Sequence, residues 1–231
     1  MEQFLNGLTL ELPREAFPLS TDSMLLGDFV RPGQTVLDLG SGGGTLGILL
    51  CAKESRCTVT GVELDKNAHV AALENIRRNG LEHRLHSICV DLRTVNRLFP
   101  AGSFRCCVSN PPYFTGGPEG NRTLARRDDC CSTRELFQAA AWALCWGGDF
   151  YLVQKPERLG QLCGCAVAEG LEPKRLRLVR HREDGPIALI LLQCRKGAKP
   201  GLQIDELWLH HRDGSPTEDY KRIYHIQEDR P

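Results

Sequence analysis

The residues from Asn110 to Tyr113 read Asn-Pro-Pro-Tyr and combine groups that can bind a planar amino group. An amino nitrogen attached to an aromatic ring or a carbonyl shares its lone pair with that group and is a poor nucleophile. The Asn110 amide oxygen and the Pro111 carbonyl oxygen can each accept one of its two N–H bonds, which favours a pyramidal nitrogen with a free lone pair. Proline has no N–H to compete, and Tyr113 has a flat ring on which a base can stack. With Pro112, these residues predict catalysis at an amino nitrogen without a titrating base.

The same four residues could instead form only a turn, because Asn-Pro and Pro-Pro are common in turns. Their position favours catalysis, since they follow the apolar run Phe104–Ser109, which predicts a strand. Ligands of open α/β sheets bind at the carboxyl ends of strands. We therefore place the four residues in the catalytic site, with Tyr113 and Phe114 against the substrate.

A glycine-rich turn upstream of this tetrad joins a predicted strand, Thr35–Leu39, to a predicted helix, Thr45–Lys53. Glycine allows a tight turn and a close approach of the backbone to a ligand, which the amides at the helix start then face. A turn of this kind alone could belong to a dinucleotide site or be purely structural. Its residues Gly40, Ser41 and Gly42 become informative together with the acids around it.

Three acids stand at or near the ends of three successive predicted strands. Asp38 precedes the glycines, where a dehydrogenase usually has an apolar residue. Glu63 ends the next strand, where a carboxylate can accept both hydroxyls of a ribose. Asp91 follows the third strand and can accept a hydrogen bond from an adenine amino group. S-adenosylmethionine has an ammonium group for Asp38 and no pyrophosphate, so it is the predicted cofactor. The predicted cofactor-binding residues are Asp38, Gly40, Ser41, Gly42, Glu63, Leu64, Asp91, Leu92 and Asn110.

Strand and helix patterns alternate along the chain with short connections, which predicts a mostly parallel α/β sheet with helices on both faces. Lys174–His181 and Ile187–Arg195 are separated by a short turn and predict an antiparallel hairpin, because a parallel crossover needs a dozen or more residues. This layout resembles that of the class I methyltransferases, with a Rossmann-like sheet of seven strands. The remaining predicted elements are strands at Thr58–Glu63, Arg84–Val90 and Asp149–Gln154, and helices at Asp65–Asn79, Ser132–Trp146 and Glu157–Glu169.

One domain is expected for residues 1–231, with residues 1–34 lining the site, a core of 35–195 and a C-terminal extension of 196–231. The chain is 41% hydrophobic and 25% charged, as is usual for a soluble α/β domain. No apolar run reaches the ~18 residues of a membrane helix. The N-terminus lacks the basic start and apolar stretch of a signal peptide, so we expect a cytoplasmic protein that does not bind a membrane. Nothing in the sequence requires an oligomer, and a monomer is the simplest state.

The charges balance, with 29 Lys and Arg residues against 29 Asp and Glu residues, so any RNA binding must depend on local patches. The eleven cysteines never show the two-residue spacing that is usual for zinc ligands. We expect free thiols, most of them buried as small hydrophobic groups, and no metal site.

Two arginine-rich segments are candidates for RNA contact. The segment Thr115–Cys131 is either a flap that holds phosphates or a plain surface loop. In the later segment, Arg175 and Arg177 share one face of a predicted strand, which indicates either RNA contact or an edge strand protected by charge. The predicted substrate-binding arginines are Arg122, Arg126, Arg127, Arg175 and Arg177.

Nearly the whole chain resembles the bacterial tRNA adenine-N6 methyltransferases that modify the base next to the anticodon of a valine tRNA. The resemblance implies that the segment from Thr21 to Leu26 lines the methionine end of the cofactor, which adds Thr21 to the binding residues. It also implies a tRNA substrate. The motifs that carry it are Thr21–Leu26, Asp38–Gly44, Gly61–Glu63, Asn75–Gly80, Asn110–Phe114, Leu171–Val179 and Asp213–Tyr224.

Other acceptors are compatible with the same tetrad. Protein glutamine-N5 methyltransferases share its chemistry but carry a helical domain before the core, for which residues 1–34 are too few. DNA adenine methyltransferases normally have a separate target-recognition domain, for which no room is seen. A guanine-N2 methyltransferase of rRNA stays a possible alternative, because a small domain with the same tetrad can carry out that reaction. A non-enzymatic RNA-binding protein would not need an intact tetrad and an intact set of acids.

Overall fold

The computed structural model describes residues 2–4, 8–10, 21–111 and 131–224, and a large mixed sheet forms its centre. Strands β1 (Glu2–Phe4) and β2 (Leu8–Leu10) pair with each other in a separate antiparallel ladder. The large sheet contains eight strands, which are β3 (Thr35–Leu39), β4 (Thr58–Glu63), β5 (Leu85–Cys89), β6 (Phe104–Ser109), β7 (Leu144–Gln154), β8 (Leu171–Arg182), β9 (Ile187–Lys196) and β10 (Gln203–His210).

The strand order of this sheet is β10-β8-β9-β7-β6-β3-β4-β5. Strands β3 to β7 run parallel, whereas β9 is antiparallel to both β7 and β8. The predicted mostly parallel sheet with a C-terminal antiparallel hairpin is therefore confirmed. The parallel strands all end at one edge of the sheet, and this brings the predicted site residues after β3, β4, β5 and β6 to that edge.

The sheet has one strand more than the predicted seven. Strand β10 lies in the segment that we expected to be an extension outside the core, and it pairs in parallel with β8 along its whole length. Only Leu207 and Leu209 of β10 are buried, while the residues from Gln203 to Glu206 are exposed. Such a weak alternation does not identify a strand in the sequence, and pairing with β8 supplies the missing stabilisation.

The helices lie on both faces of the sheet, as predicted. Asp65 caps one of them by accepting hydrogen bonds from the amides of Asn67 and Ala68. Ser132 and Glu135 form the predicted capping box of another. The helices are α1 (Thr21–Phe29), α2 (Thr45–Lys53), α3 (Lys66–Arg78), α4 (Val95–Leu98), α5 (Thr133–Ala143), α6 (Leu159–Ala168) and α7 (Glu218–Tyr224), with short 3-10 turns at Leu92–Thr94 and Pro156–Arg158.

Helix α5 ends at Ala143, three residues before the predicted end at Trp146. Leu144 is already in strand β7, where it pairs with Phe104, and both side chains are buried. The ladder then shifts register, and Gly147 takes a left-handed φ of 75°. Apolar residues of a helix end and of a buried strand look alike in sequence, so pairing with β6 decides the boundary.

The cysteines are used mainly as small apolar groups. Of the ten cysteines that the structure describes, five are buried and the others are partly buried, and all are free thiols. Burial raises the pKa of the Cys57 thiol to about 12. Among the described residues, no three His, Cys, Asp or Glu side chains are grouped to hold a metal ion. In the same part of the chain, no helix is long and apolar enough to cross a membrane.

Candidate active site

Asn110 and Pro111 directly follow β6, at the edge where the parallel strands end. The Asn110 amide Nδ2 donates a hydrogen bond to Ser23 Oγ of α1 over 2.9 Å. The neighbouring Ser109 is buried, and its hydroxyl donates to the Leu39 carbonyl over 2.7 Å, which ties the end of β6 to the end of β3. The predicted site residues that lie outside the described part are Pro112, Tyr113, Phe114, Arg122, Arg126 and Arg127.

The glycine-rich turn after β3 has the tight geometry that its composition predicts. Gly40 and Gly42 have φ angles of 76° and 53°, in the left-handed region that favours glycine. The amide of Gly40 donates to the carbonyl of Val62 in β4 over 3.0 Å. From the other side, the buried Asn75 of α3 donates its side-chain amide to the Gly43 carbonyl over 2.9 Å. Both neighbouring elements therefore fix the turn, and Asn75 is a contributor that the sequence did not single out for this site.

Ser41 lies over Gly61 of β4. A Cβ atom at Gly61 would meet Ser41 Oγ at 2.6 Å, so glycine at this position makes room for the hydroxyl. Ser41 Oγ is buried and has no hydrogen-bond partner among the described residues. A buried hydroxyl normally has such a partner. This polar atom, within the turn that sequence reasoning assigned to the cofactor, fits a polar group of a bound ligand.

Asp38 is buried almost completely, with 2% of its surface exposed. Burial, and secondarily the charge of Glu63, raise the pKa of the Asp38 carboxyl from 3.8 to about 7. A buried carboxylate is costly unless a positive charge compensates it. The ammonium and sulfonium groups of S-adenosylmethionine are cations of the required sign, so Asp38 suits the methionine end of this cofactor.

Glu63 connects the glycine turn to the start of α3. One carboxylate oxygen accepts from the Gly42 amide and the other accepts from the Asp65 amide, each over 2.8 Å. Each carboxylate oxygen has a second lone pair, so two ribose hydroxyls can still be bound. Glu63 therefore combines the predicted ribose contact with a structural role that holds the turn.

We expect Glu63→Ala to weaken S-adenosylmethionine binding by about 1–3 kcal/mol, which corresponds to charge-assisted hydrogen bonds. Calorimetric titration measures the dissociation constant. Glu74→Ala is the matched control, since Glu74 lies on α3 and its ion pairs within the described part of the chain are with Arg77 and Arg78 of the same helix. Equal affinities of Glu63→Ala and the wild-type protein would remove Glu63 from the site.

Asp91 occupies the predicted strand end but is bound to Arg93. Its carboxylate accepts from the Arg93 backbone amide over 2.9 Å and from Nε and Nη2 of the Arg93 guanidinium group. This hydrogen bonding lowers the pKa of Asp91 and keeps it ionised. Contact with adenine stays a prediction for Asp91. Arg93, which binds this carboxylate, is a residue that sequence reasoning missed. The predicted apolar neighbours Leu64 and Leu92 lie at the same edge, with Leu64 46% exposed and available to pack on a ring.

Arg175 and Arg177 share one face of β8, as predicted, and both guanidinium groups lie near the Phe29 ring. Arg177 Nε lies 2.6 Å from Asp205 of β10, and the guanidinium group of Arg175 lies 4.5 Å from the centre of the Phe29 ring. Strand β8 is covered by β10, so it is not an edge strand. Both arginines hold elements of the protein together, and contact of either one with RNA stays a prediction.

Thr21, the remaining predicted cofactor residue, is the first residue of α1. Its side chain hydrogen-bonds with that of Tyr224, the last residue of α7. Thr21 is thus two residues from Ser23, which contacts Asn110. The structure brings the start of α1 to Asn110, and a contact of Thr21 with the cofactor stays a prediction.

Comparisons with known proteins agree with this site. Residues 20–161, more than half of the chain, match the family described as methyltransferase small domain. A relative from Tolumonas auensis is 34% identical over 197 residues, which cover 82% of this chain and 81% of that protein, and it is named tRNA1(Val) (adenine(37)-N6)-methyltransferase.

Two solved structures share the fold. A predicted O-methyltransferase from Agrobacterium tumefaciens superposes with a TM-score of 0.75 at 18% identity, covering 89% of this chain and 96% of that one. A geranyl diphosphate C-methyltransferase from Streptomyces coelicolor, in complex with S-adenosyl-L-homocysteine, gives a TM-score of 0.56 at 12% identity. The match covers 75% of this chain and 76% of that one. The chain belongs to the methyltransferase small domain family and is an S-adenosylmethionine-dependent methyltransferase.

Proposed function

We propose that this enzyme methylates the N6 amino nitrogen of an adenine in tRNA, next to the anticodon. The observation that carries this proposal is the placement of Asn110 beside Asp38. Asp38 pairs with Val108 across β3 and β6, and Asn110 follows two residues after Val108. Neighbouring strands lie about 4.8 Å apart. The residue for the methionine end of the cofactor and the residue for the acceptor nitrogen are therefore neighbours at one sheet edge.

The roles of the residues follow from this placement. The bound cofactor supplies an electrophilic methyl group on a sulfonium centre. Asn110 Oδ1 and the Pro111 carbonyl accept the two N–H bonds of the acceptor amino group and orient its lone pair. The Asn110 Nδ2 donates to Ser23 Oγ, and Oδ1 is the side-chain atom that can accept an N–H bond of the acceptor. No group in this set has to remove a proton before the attack.

The choice of adenine N6 in tRNA rests on the relatives. The proteins from Tolumonas auensis and Bacteroides fragilis bear the name tRNA1(Val) (adenine(37)-N6)-methyltransferase, and both align over most of their length. The motifs that carry the resemblance include the tetrad and the tail from Asp213 to Tyr224. A tRNA substrate places the enzyme in the cytoplasm. Contacts of Arg122, Arg126 and Arg127 with RNA remain part of this proposal.

The test compares modified nucleosides of tRNA from a deletion strain with those of the parent strain by mass spectrometry. We expect the deletion to remove N6-methyladenosine from a valine tRNA and the purified enzyme with S-adenosylmethionine to restore it. Loss of N2-methylguanosine from rRNA would instead move the enzyme to the guanine-N2 class. Methylation of a release-factor peptide, with no RNA product, would move it to the glutamine-N5 class.

A further inference from the structure

We propose that Ser23 is a positioning residue that holds the side chain of the catalytic Asn110 for methyl transfer. This inference rests on the proposed function, because it assigns Asn110 to the acceptor. The contact is the 2.9 Å hydrogen bond from Asn110 Nδ2 to Ser23 Oγ, between residues 87 positions apart in the chain. Ser23 is only 8% exposed, so bulk water does not readily replace its hydroxyl as the partner.

An asparagine at this position needs such a partner. Its side chain turns about two bonds, and the amide presents an acceptor on one side and donors on the other. The acceptor amino group is itself a donor, so only Oδ1 can receive its N–H bond. Because Nδ2 of Asn110 donates to Ser23, the amide oxygen Oδ1 lies on the side of the amide group that faces away from Ser23. A fixed orientation of a catalytic group contributes to the rate, and a small displacement of such a group lowers the rate strongly.

The hydroxyl of Ser23 is carried by a helix that is fixed at its far end. Lys53 Nζ of α2 donates to three carbonyl groups at the end of α1, those of Gly27, Asp28 and Val30, over 3.0, 2.5 and 2.7 Å. Phe29 packs edge to face against Tyr151 of β7, with ring centres 5.9 Å apart. These contacts fix the position of α1 against α2 and the sheet.

The C-terminal helix α7 also contacts α1. Arg222 forms an ion pair with Asp28, and Tyr224 hydrogen-bonds with Thr21 two residues before Ser23. Helix α7 lies after residue 161, where the match to the family ends. The segment after the common core therefore supports the helix that positions the catalytic asparagine.

The test uses Ser23→Ala and Ser23→Cys in the full-length enzyme with its tRNA substrate. Alanine removes the hydrogen bond, whereas cysteine keeps most of the volume but is only a weak partner. We expect the single-turnover rate to fall roughly tenfold in both variants. This is the rate change that corresponds to the free energy of one modest hydrogen bond. The dissociation constant of S-adenosylmethionine should stay within about twofold. Ser103→Ala is the control, since Ser103 directly precedes β6 at the end opposite to Asn110, and its hydroxyl donates to the nearby Pro100 carbonyl.

A double-mutant cycle separates positioning from general damage to the fold. If Ser23 acts through Asn110, Ser23→Ala should have little effect on the rate when Asn110→Ala is already present. A tenfold loss in that background as well would overturn the proposal. So would a wild-type rate in Ser23→Ala. A tenfold rise in the cofactor dissociation constant would assign Ser23 to cofactor binding instead.

A second readout does not depend on the acceptor. In NMR spectra of protein with labelled asparagine, the side-chain amide protons of Asn110 should exchange with water at least several-fold faster in Ser23→Ala than in the wild type. An exchange rate in Ser23→Ala equal to that of the wild type would overturn the positioning role of Ser23, even if the enzyme is active. If the wild-type enzyme binds cofactor but methylates no RNA, the proposed function fails, while the exchange measurement still decides whether Ser23 holds Asn110.

Discussion

Asn110→Ala will lower the rate of methyl transfer to RNA by roughly 10²–10³, by analogy with the loss of one positioned oxyanion-hole donor. The affinity for S-adenosylmethionine will stay within about twofold. In the proposed mechanism Asn110 orients the acceptor nitrogen, whereas Asp38 and Glu63 are the acids proposed to bind the cofactor, and the substitution leaves both in place. The measurement is single-turnover transfer of a labelled methyl group into tRNA from a strain that lacks the enzyme.

Asn96→Ala is the matched control for this variant. Asn96 is an exposed residue of α4, and the same change there should leave the rate within about twofold of the wild-type value. Thermal unfolding of both variants checks that the fold is intact. Full activity of Asn110→Ala would contradict the mechanism, because no other described side chain at the end of β6 replaces the amide oxygen.

Asp38→Asn will stabilise the protein without cofactor at neutral pH, while it weakens cofactor binding. The folded-state pKa of Asp38 is raised from 3.8 to about 7, mainly by burial. Below about pH 3 the group is largely protonated in both states and contributes no penalty. As the pH rises towards 7, the unfolded state gains a charge that the folded state resists, so stability is lost. At about 1.36 kcal/mol per pKa unit, the penalty above pH 7 is roughly 3–5 kcal/mol.

The expected measurement is the free energy of unfolding of the cofactor-free protein between pH 3 and 8. The unfolding free energy of the asparagine variant should equal that of the wild type near pH 3 and exceed it increasingly up to about pH 7. Asp184→Asn makes the same change on an exposed residue and should show no such trend. A wild-type advantage at pH 8 would mean that the protein itself stabilises the Asp38 carboxylate.

The same carboxyl group links cofactor binding to pH. A cationic ligand favours the ionised form of Asp38, so binding below pH 7 must release a proton. We expect the affinity of the wild-type protein for S-adenosylmethionine to rise about tenfold per pH unit from roughly pH 5.5 to 7. Calorimetry in two buffers of different ionisation enthalpy measures the released proton. Proton release that persists in Asp38→Asn would assign it to another group.

The sequence by itself was sufficient for the part of the molecule where local pattern and local chemistry agree. The bounds of β3, β4, β6 and α2 were predicted to the residue, because each apolar run is bounded by turn or cap residues. The glycine turn and the acids Asp38 and Glu63 could be placed because the ends of parallel strands share one edge. The chemistry assigned to the tetrad rests on residue types alone and stays a prediction.

Tertiary structure decided what depends on partners that are distant in the chain. Strand β10 is recognisable only through its pairing with β8, and the bond from Arg177 to Asp205 joins these two strands. The raised pKa of Asp38 comes from burial, which no sequence pattern measures. The contact of Ser23 with Asn110 joins a helix before the first central strand to the end of β6. Residue types determine which chemistry is available, whereas packing determines which side chains meet and how strongly water is excluded from them.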